Sequence, residues 1–304
     1  MTSLNKILLV IAGPTAVGKT DLCINLAKKF NTAIISSDSR QFFREMNAGT
    51  AKPDRDSLEK APHYFIGNKS IHEPYDVRAF EQEALCLLTK LFAEKELLIL
   101  TGGSGLYIDA VVEGLDEMPE IPSNIREQLN HDFQNQGLSM LQQRLEKLDP
   151  TYYQTVDRNN PHRLIRALEV CLGTGRTFSS FRQKRKKTRP FRTIKVALNR
   201  ERAELYHRID SRMEDMIRNG LFEEATQLFP FRQLNALQTV GYKEIFGYLE
   251  GAYDKQETIR LLKRNSRRYA KRQLTWFRRD LDYAWFHPED WNQILEWISS
   301  QRGR

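Results

Sequence analysis

Cysteine is scarce in this chain. Cys23, Cys86 and Cys171 are the only three in 304 residues, odd in number and widely spaced. That excludes a disulfide framework and a cysteine-rich zinc site, and it suits a reducing compartment. Long apolar runs are also missing. The longest, Ile7–Ala12, falls far short of the roughly 20 residues that a membrane helix needs. Lys6 precedes it but no small-residue cleavage site follows, so neither a membrane anchor nor a secretory signal is expected. There is no internal repeat and no low-complexity tract. In two places it is acid that is lacking. Arg182–Arg192 carries seven basic residues and Arg260–Arg279 nine, with no Asp or Glu in either. The rest of the chain has 31 basic residues against 39 acidic ones, so the net charge of +8 divides into an acidic body and two basic segments. That distribution points to a polyanionic partner bound at a defined place, without saying which polyanion. A hydrophobic content of 40% is enough for a core, and the length allows one large domain or a core with a smaller companion.

The first third alternates strand and helix patterns. Ile7–Ala12 reads as a buried strand closed by Gly13-Pro14, and Thr20–Phe30 as a helix with Leu22, Leu26 and Ala27 inward. Ala33–Ser36 is a second short strand. Arg78–Lys95 is the clearest helix, with Phe80, Ala84, Leu87, Leu88 and Leu91 at helical spacing. Leu97–Leu100 is a further strand, closed by Thr101-Gly102-Gly103. This rhythm predicts a parallel sheet covered by helices. It stops after Gly114. Met118–Pro122 reads as a linker, and Ser123 to Ser180 as helices only. One of these opens at Asn160-Pro161, a capping residue followed by Pro at the first helical position, and Gly173 is the expected terminating glycine. Thr193–Leu198 reads as a strand returning to the sheet. Helices are expected over about Glu201–Asn219, Leu221–Phe229, Glu257–Arg279 and Glu289–Ser300. The fold class predicted is α/β, a P-loop NTPase-like parallel-sheet core over 1–117 and 191–304 with a helical insertion domain over 118–190.

Gly13-Pro14-Thr15-Ala16-Val17-Gly18-Lys19-Thr20 matches G-x-x-x-x-G-K-[ST] between a predicted strand and a predicted helix, the context in which that motif cradles phosphate. The glycines let backbone N–H groups face an anion, and the helix N-terminus adds a favourable dipole. Lys19 would reach the terminal phosphates and Thr20 would help to hold Mg²⁺. The alternative is an ordinary tight turn. In many NTPases of this kind an Asp ends a neighbouring strand, yet Leu97–Leu100 leads into Thr101-Gly102-Gly103-Ser104-Gly105. The acid at a strand end is instead Asp38, in Ser37-Asp38-Ser39-Arg40-Gln41, with three readings open: metal organiser, general base or helix cap.

On a helical wheel the bases of Arg260–Arg279 cover about half the circumference, opposite Leu262, Ser266, Tyr269, Gln273 and Trp276. A face without interleaved acid reads as anion-binding, since a merely solvated helix mixes signs. Tyr269, Trp276 and Phe277 read as core residues. The run Arg182–Arg192 reads equally as a loop touching phosphate or as a solubilising loop.

Taken together, the motifs resemble those of bacterial tRNA dimethylallyltransferases. The likeness runs nearly end to end, through Gly13–Thr20, Asp38–Gln41, Gly49-Thr50-Ala51-Lys52-Pro53, Gly102–Tyr107, Arg163–Val170, Val240-Gly241-Tyr242-Lys243-Glu244 and Ala270–Trp276. The resemblance implies transfer of a dimethylallyl group from dimethylallyl diphosphate to N6 of the adenosine at tRNA position 37, with Mg²⁺ assisting and diphosphate released. It implies that the phosphate loop binds the leaving diphosphate, that Asp38 is the base taking the N6 proton, and that the Ser104 hydroxyl holds the reacting group. Contacts to the tRNA anticodon stem-loop would fall on Asp38, Ser39, Arg40, Gln41, Ser104, Arg126, His162, Arg163, Leu164, Ile165, Arg166, Gln238, Thr239, Val240, Gly241, Tyr242 and Lys243. They would continue through Lys271, Arg272, Gln273, Leu274, Thr275, Trp276, Phe277 and Arg278. His162 stands where many relatives carry Gln, and reads equally as a surface residue at a helix start. Arg163 and Arg166 read alternatively as ion-pair partners, and Gly241 as a turn residue. No C-x₂-C follows near Arg304, which suits the bacterial type. A cytoplasmic monomer is the default expectation. The competing functions are prenylation of free AMP, ADP or ATP, a P-loop kinase or ATPase acting on RNA, and an RNA-binding protein with an inactive phosphate loop.

Overall fold

The computed structural model describes residues 6–183 and 186–303. The chain divides into two compact units, Met1–Val112 with Thr188–Arg304, and Glu113–Lys187.

The first unit is built on six parallel strands: β1 (Ile7–Ala12), β2 (Ile34–Ser36), β3 (His63–Tyr64), β4 (Leu97–Gly102), β5 (Arg192–Leu198) and β6 (Ala284–Phe286), in the order β3-β2-β4-β1-β5-β6. β1 lies between β4 and β5, with Leu8 opposite Leu98 and Thr193. Every β1 side chain is buried. Leu9 and Ile11 point into one core with Leu26, Ile99, Val196 and Ile294, and Leu8 and Val10 into another with Phe42, Phe80, Leu98 and Ile108. Helices on both faces make a continuous apolar strand stable, and crossover connections force the parallel order.

Those helices are α1 (Lys19–Lys29), α2 (Arg55–Lys60), α3 (Val77–Leu91) and α4 (Gly105–Val112). α3 starts where the Asp76 carboxylate accepts the N–H groups of Arg78 and Ala79, and it ends at Leu91, four residues before the sequence pattern suggests. α4 escapes the sequence pattern because it is apolar nearly all round and opens on glycine. β3 and β6 escape it because two or three residues carry no period.

The second unit holds α5 (Ser123–Gln136), α6 (Leu138–Leu148), α7 (Pro150–Tyr153), α8 (Pro161–Thr174) and α9 (Phe178–Phe181), with no strand among its described residues. Leu129, Leu141, Leu145, Leu164, Leu168 and Phe178 form its core. Buried Asp149 caps α7 through Tyr152 N–H and binds both the N–H and the hydroxyl of Ser179. Asn160 caps α8 with Pro161 first in the helix, as expected. The terminating glycine is Gly175, at φ 67°, and not Gly173. Gly173 is small for a different reason. A Cβ there would lie 2.7 Å from the Ile121 side chain.

The remaining helices belong to the first unit: α10 (Arg202–Arg218), α11 (Leu221–Leu228), α12 (Tyr242–Leu249), α13 (Lys255–Phe277) and α14 (Trp291–Arg302). Met213, Leu221, Leu228, Tyr242, Phe246 and Leu262 share a further core that joins α10 through α13. No described helix is long and apolar enough to cross a membrane.

Candidate active site

The loop from β1 into α1 leaves the carboxyl end of a central strand, where open parallel sheets bind ligands. Its glycines have separate duties. A Cβ on Gly13 would approach the Leu198 carbonyl to 2.9 Å. Gly18, at φ 110°, makes the left-handed entry into α1. The Lys19 ammonium folds back onto the carbonyls of Gly13 and Pro14, at 2.9 and 2.8 Å. Burial, reinforced by the charge of Arg212, pushes the Lys19 pKa down to about 8, against the opposing pull of Asp38. Residues Thr15 to Thr20 line a cavity of about 590 Å³, large enough for a small-molecule ligand. The first N–H groups of α1 have no acceptor within the helix, so this rim is a donor surface.

The opposite wall comes from the end of β2. Asp38 Oδ1 accepts the N–H of Arg40 at 3.0 Å and of Gln41 at 3.4 Å, so one oxygen caps the turn. Oδ2 has no hydrogen-bond partner among the described residues, and Asp38 lines the cavity. Its charge acts on Lys19, Arg212 and Tyr269. Burial holds the Arg212 guanidinium below its usual value and pushes the Tyr269 hydroxyl up to about 12. Tyr269, expected in the core, is therefore a cavity residue. Ser104 is not among the lining residues. Its hydroxyl donates to Ser39 Oγ at 3.1 Å, accepts Ser39 N–H at 3.2 Å and reaches Tyr269.

Crowding explains the glycines after β4. A Cβ on Gly102 would meet Ser37 Oγ at 2.2 Å, one on Gly103 would meet Gln273 Nε2 at 2.1 Å, and one on Gly105 would meet the Trp276 ring at 2.2 Å. Gln273 is buried and bridges the site, accepting Thr15 N–H and donating to the Gly103 carbonyl, both at 2.9 Å. Trp276 donates to Asp109 at 2.9 Å.

The segment Gly49–Pro53 is held by Glu224, whose carboxylate accepts the N–H groups of Asn47, Ala48 and Gly49 and the Tyr242 hydroxyl, between 2.6 and 2.9 Å. A Cβ on Gly49 would fall 2.3 Å from the Tyr242 ring. The Gln41 amide donates to the carbonyls of Thr50 and Ala51. Gly241 sits at φ 103° before α12, its N–H bonded to Glu244, so the turn reading holds for it.

Several residues expected at a tRNA surface are interior. Leu164, Ile165, Tyr242, Gln273 and Phe277 are all buried, because each lies on the core side of its helix. Val240 and Thr239 line the cavity, whereas Gln238 and Lys243 are exposed. In the second unit Arg126 and Arg166 close on the buried carboxylate of Glu169, at 2.7 and 3.0 Å, while His162 and Arg163 are exposed.

The basic face of α13 is also divided. Arg260 pairs with Glu257, Lys263 with Glu214 and Arg267 with Asp210, so acid absent from the run is supplied next to it, largely by α10. Arg268, Lys271, Arg272, Arg278 and Arg279 are exposed and make no ion pair among the described residues. In the run Arg182–Arg192 several of the described bases already have partners. Arg182 lies over the Tyr152 and Phe178 rings, Lys186 pairs with Glu113, Arg189 pairs with Glu81 and donates to the Ala110 carbonyl, and Arg192 donates to the carbonyls of Gln301 and Arg302. Lys184 and Arg185 lie outside the described residues.

The motifs did not single out Arg208, Arg212 and Glu224. The first two are one turn apart on α10, but that helix mixes charges of both signs and its sequence marks no face as a site.

The IPP transferase family model matches residues 41–280. The tRNA dimethylallyltransferase of Cytophaga hutchinsonii is 48% identical over 99% of both chains, and that of Christiangramia forsetii 49% identical over 98% of this chain and 99% of its own. The crystal structure of the full-length tRNA isopentenylpyrophosphate transferase from Bacillus halodurans is 36% identical, with a TM-score of 0.73 over 98% of this chain and 97% of the other. A eukaryotic dimethylallyltransferase acting on tRNA reaches 0.73 at 27% identity over 89% of this chain and 69% of its own. A phosphate loop facing an acid at the end of β2, with no acid after β4, is thus found in a chain similar to these over nearly its full length, and the chain belongs to the IPP transferase family.

Proposed function

We propose that this protein is a tRNA dimethylallyltransferase in which the cavity joins dimethylallyl diphosphate to N6 of the adenosine at tRNA position 37. The observation that carries this reading is the juxtaposition of a phosphate loop and the unpartnered Oδ2 of Asp38 on one cavity of about 590 Å³. Thr15–Thr20 hold the diphosphate. The adenine, unstacked from a single-stranded loop, presents N6 to Asp38. The N6–C1 bond forms as the allylic C1–O bond breaks. The bonding pair leaves on the diphosphate, and the N6 proton passes to Asp38 Oδ2. Charge growing on the leaving group is stabilised by loop N–H groups, Lys19 and Arg212.

A hard cation such as Mg²⁺ suits the oxygen donors here, the Thr20 hydroxyl and the diphosphate itself. When bound it neutralises the leaving group.

The test is to incubate the protein with Mg²⁺, dimethylallyl diphosphate and unmodified tRNA, with free AMP in parallel, and to analyse nucleosides by mass spectrometry. Dimethylallyl-adenosine in tRNA is the expected result. Product from AMP alone would move the assignment to adenylate prenylation, and phosphate release from ATP to a kinase or ATPase.

For tRNA binding, the exposed bases of α13 are the grip, with His162 and Arg163 as the contacts offered by the second unit. Replacing Arg268, Lys271 and Arg272 together by Ala should weaken tRNA binding and reduce the slope of log K against log salt by about 2, at roughly 0.7 per phosphate contact. Replacing Arg267 should not reduce that slope, because Asp210 already neutralises it. An unchanged slope in the triple variant would remove α13 from the interface.

A further inference from the structure

Arg200 lies between β5 and α10 and is only 8% exposed. Its Nε donates to the Val17 carbonyl, inside the phosphate loop, at 2.9 Å. Its Nη1 donates to Glu289 at 3.2 Å, faces His287 Nε2 at 3.2 Å and closes on Glu204. Glu204, His287 and Glu289 have the spacing of a cation site. The cation they hold is this guanidinium. Arg200 does not line the cavity, whereas Val17 and Gly18 do.

A trans peptide is planar, with its C=O and N–H pointing in opposite directions, and the chain has no cis peptide among its described residues. A carbonyl of Val17 drawn toward Arg200 therefore turns the Gly18 N–H away from Arg200. Gly18 has no Cβ to resist rotation of that plane, since glycine occupies both signs of φ readily. This N–H donates no hydrogen bond among the described residues, so the restraint on the plane comes from its carbonyl side. Arg208 acts in the same way on the Ala16 carbonyl, its Nε at 2.9 Å, but Arg208 also lines the cavity.

We propose that Arg200 is a positioning residue for the transfer reaction. Fixed by Glu204, His287 and Glu289, it locks the Val17–Gly18 peptide so that the Gly18 N–H is preset for a diphosphate oxygen, without touching the substrate. The inference rests on the reading of the loop as a diphosphate site.

The experiment is calorimetric titration of inorganic diphosphate with Mg²⁺ into wild type, Arg200→Met, Arg200→Lys and Glu289→Gln, with tRNA affinity and thermal melting measured on each. Arg200→Met should weaken diphosphate binding about tenfold, the effect of one hydrogen bond to a charged group, with tRNA affinity unchanged. Arg200→Lys should not restore it, because one ammonium cannot reproduce the planar fork that spans the carbonyl and the acids. Glu289→Gln keeps Arg200 but loosens its hold, and should weaken diphosphate by a smaller factor. It decides the matter if Arg200→Met does not fold. Diphosphate affinity equal to wild type in a folded Arg200→Met or, failing that, in Glu289→Gln would overturn the inference. So would equal losses of diphosphate and tRNA affinity, or full rescue by lysine. If wild type itself binds no diphosphate, the reading of the loop fails first.

Discussion

Replacing Asp38 by Asn is expected to lower the rate of prenyl transfer about a thousandfold, within the range for removal of a general base, while tRNA affinity stays within about twofold. Asn is the informative substitution because it separates the two oxygens of Asp38. Its side-chain carbonyl still accepts the N–H groups of Arg40 and Gln41 that Oδ1 holds at 3.0 and 3.4 Å, so the turn after β2 keeps its cap. What is lost is the second oxygen, which has no hydrogen-bond partner among the described residues and would take the proton. Asp38 also supports the charge of Lys19, so the comparison is best made at pH 6.5, where Lys19 remains protonated in both proteins. Single-turnover rates and filter binding of tRNA give the two numbers. A parallel fall in rate and affinity would assign Asp38 to recognition. An unchanged rate would leave the adenine amine without a base in this cavity.

Replacing Lys19 by Met should weaken diphosphate binding and slow transfer, each by roughly a hundredfold near neutral pH, as expected for a charged donor aimed at developing charge. The effect should depend on pH in one direction. With a pKa of about 8 in the free protein, Lys19 is mostly an ammonium at pH 7 and mostly neutral at pH 9. A bound polyanion favours the ammonium, so binding above pH 8 takes up a proton and weakens as pH rises. The gap between wild type and Lys19→Met should therefore close above pH 8 and stay constant below it. The diphosphate's own titration is common to both and cancels. A gap that is the same at pH 7 and pH 9.5 would mean that Lys19 does not contact the anion. Stability moves the other way. Because the folded pKa lies below the ordinary 10.5, the unfolded chain binds more protons between those values, and the penalty for burying the ammonium, complete below pH 8, is relieved as pH rises to about 10.5.

The α/β core and the phosphate loop were readable from the chain alone. Ile7–Ala12 carries a strand pattern that helices must cover on both faces, and Gly13–Thr20 states its chemistry in eight residues. Arg260–Arg279 carried a helix pattern and a charge signal, of which the first was complete and the second only half right. Helical periodicity reports which residues share a face of one helix. It is silent about the acids of another helix that come to lie against that face, and so Asp210 and Glu214 were invisible as the partners of Arg267 and Lys263. The same limit applies to motifs: Tyr242 and Gln273 lie within segments expected at a tRNA surface, yet both are buried and hold the site from inside.

Local order and chemistry are properties of neighbours along the chain, and the amino-acid sequence by itself determined them here: the strand and helix periods, the glycines of the phosphate loop, the cap at Asn160, and an acid just beyond the second strand. Contacts between residues 50 or 250 apart depend on how the elements pack, and only the tertiary structure decided those. It placed Gln273 between Thr15 and Gly103, put Asp38 on the cavity wall with one oxygen capping a turn, set Arg212 beside them, and brought Arg200 behind the loop at Val17. Each of these is a hydrogen bond or a charge at a few ångströms, and interactions that steep in distance depend on packing that no single segment encodes.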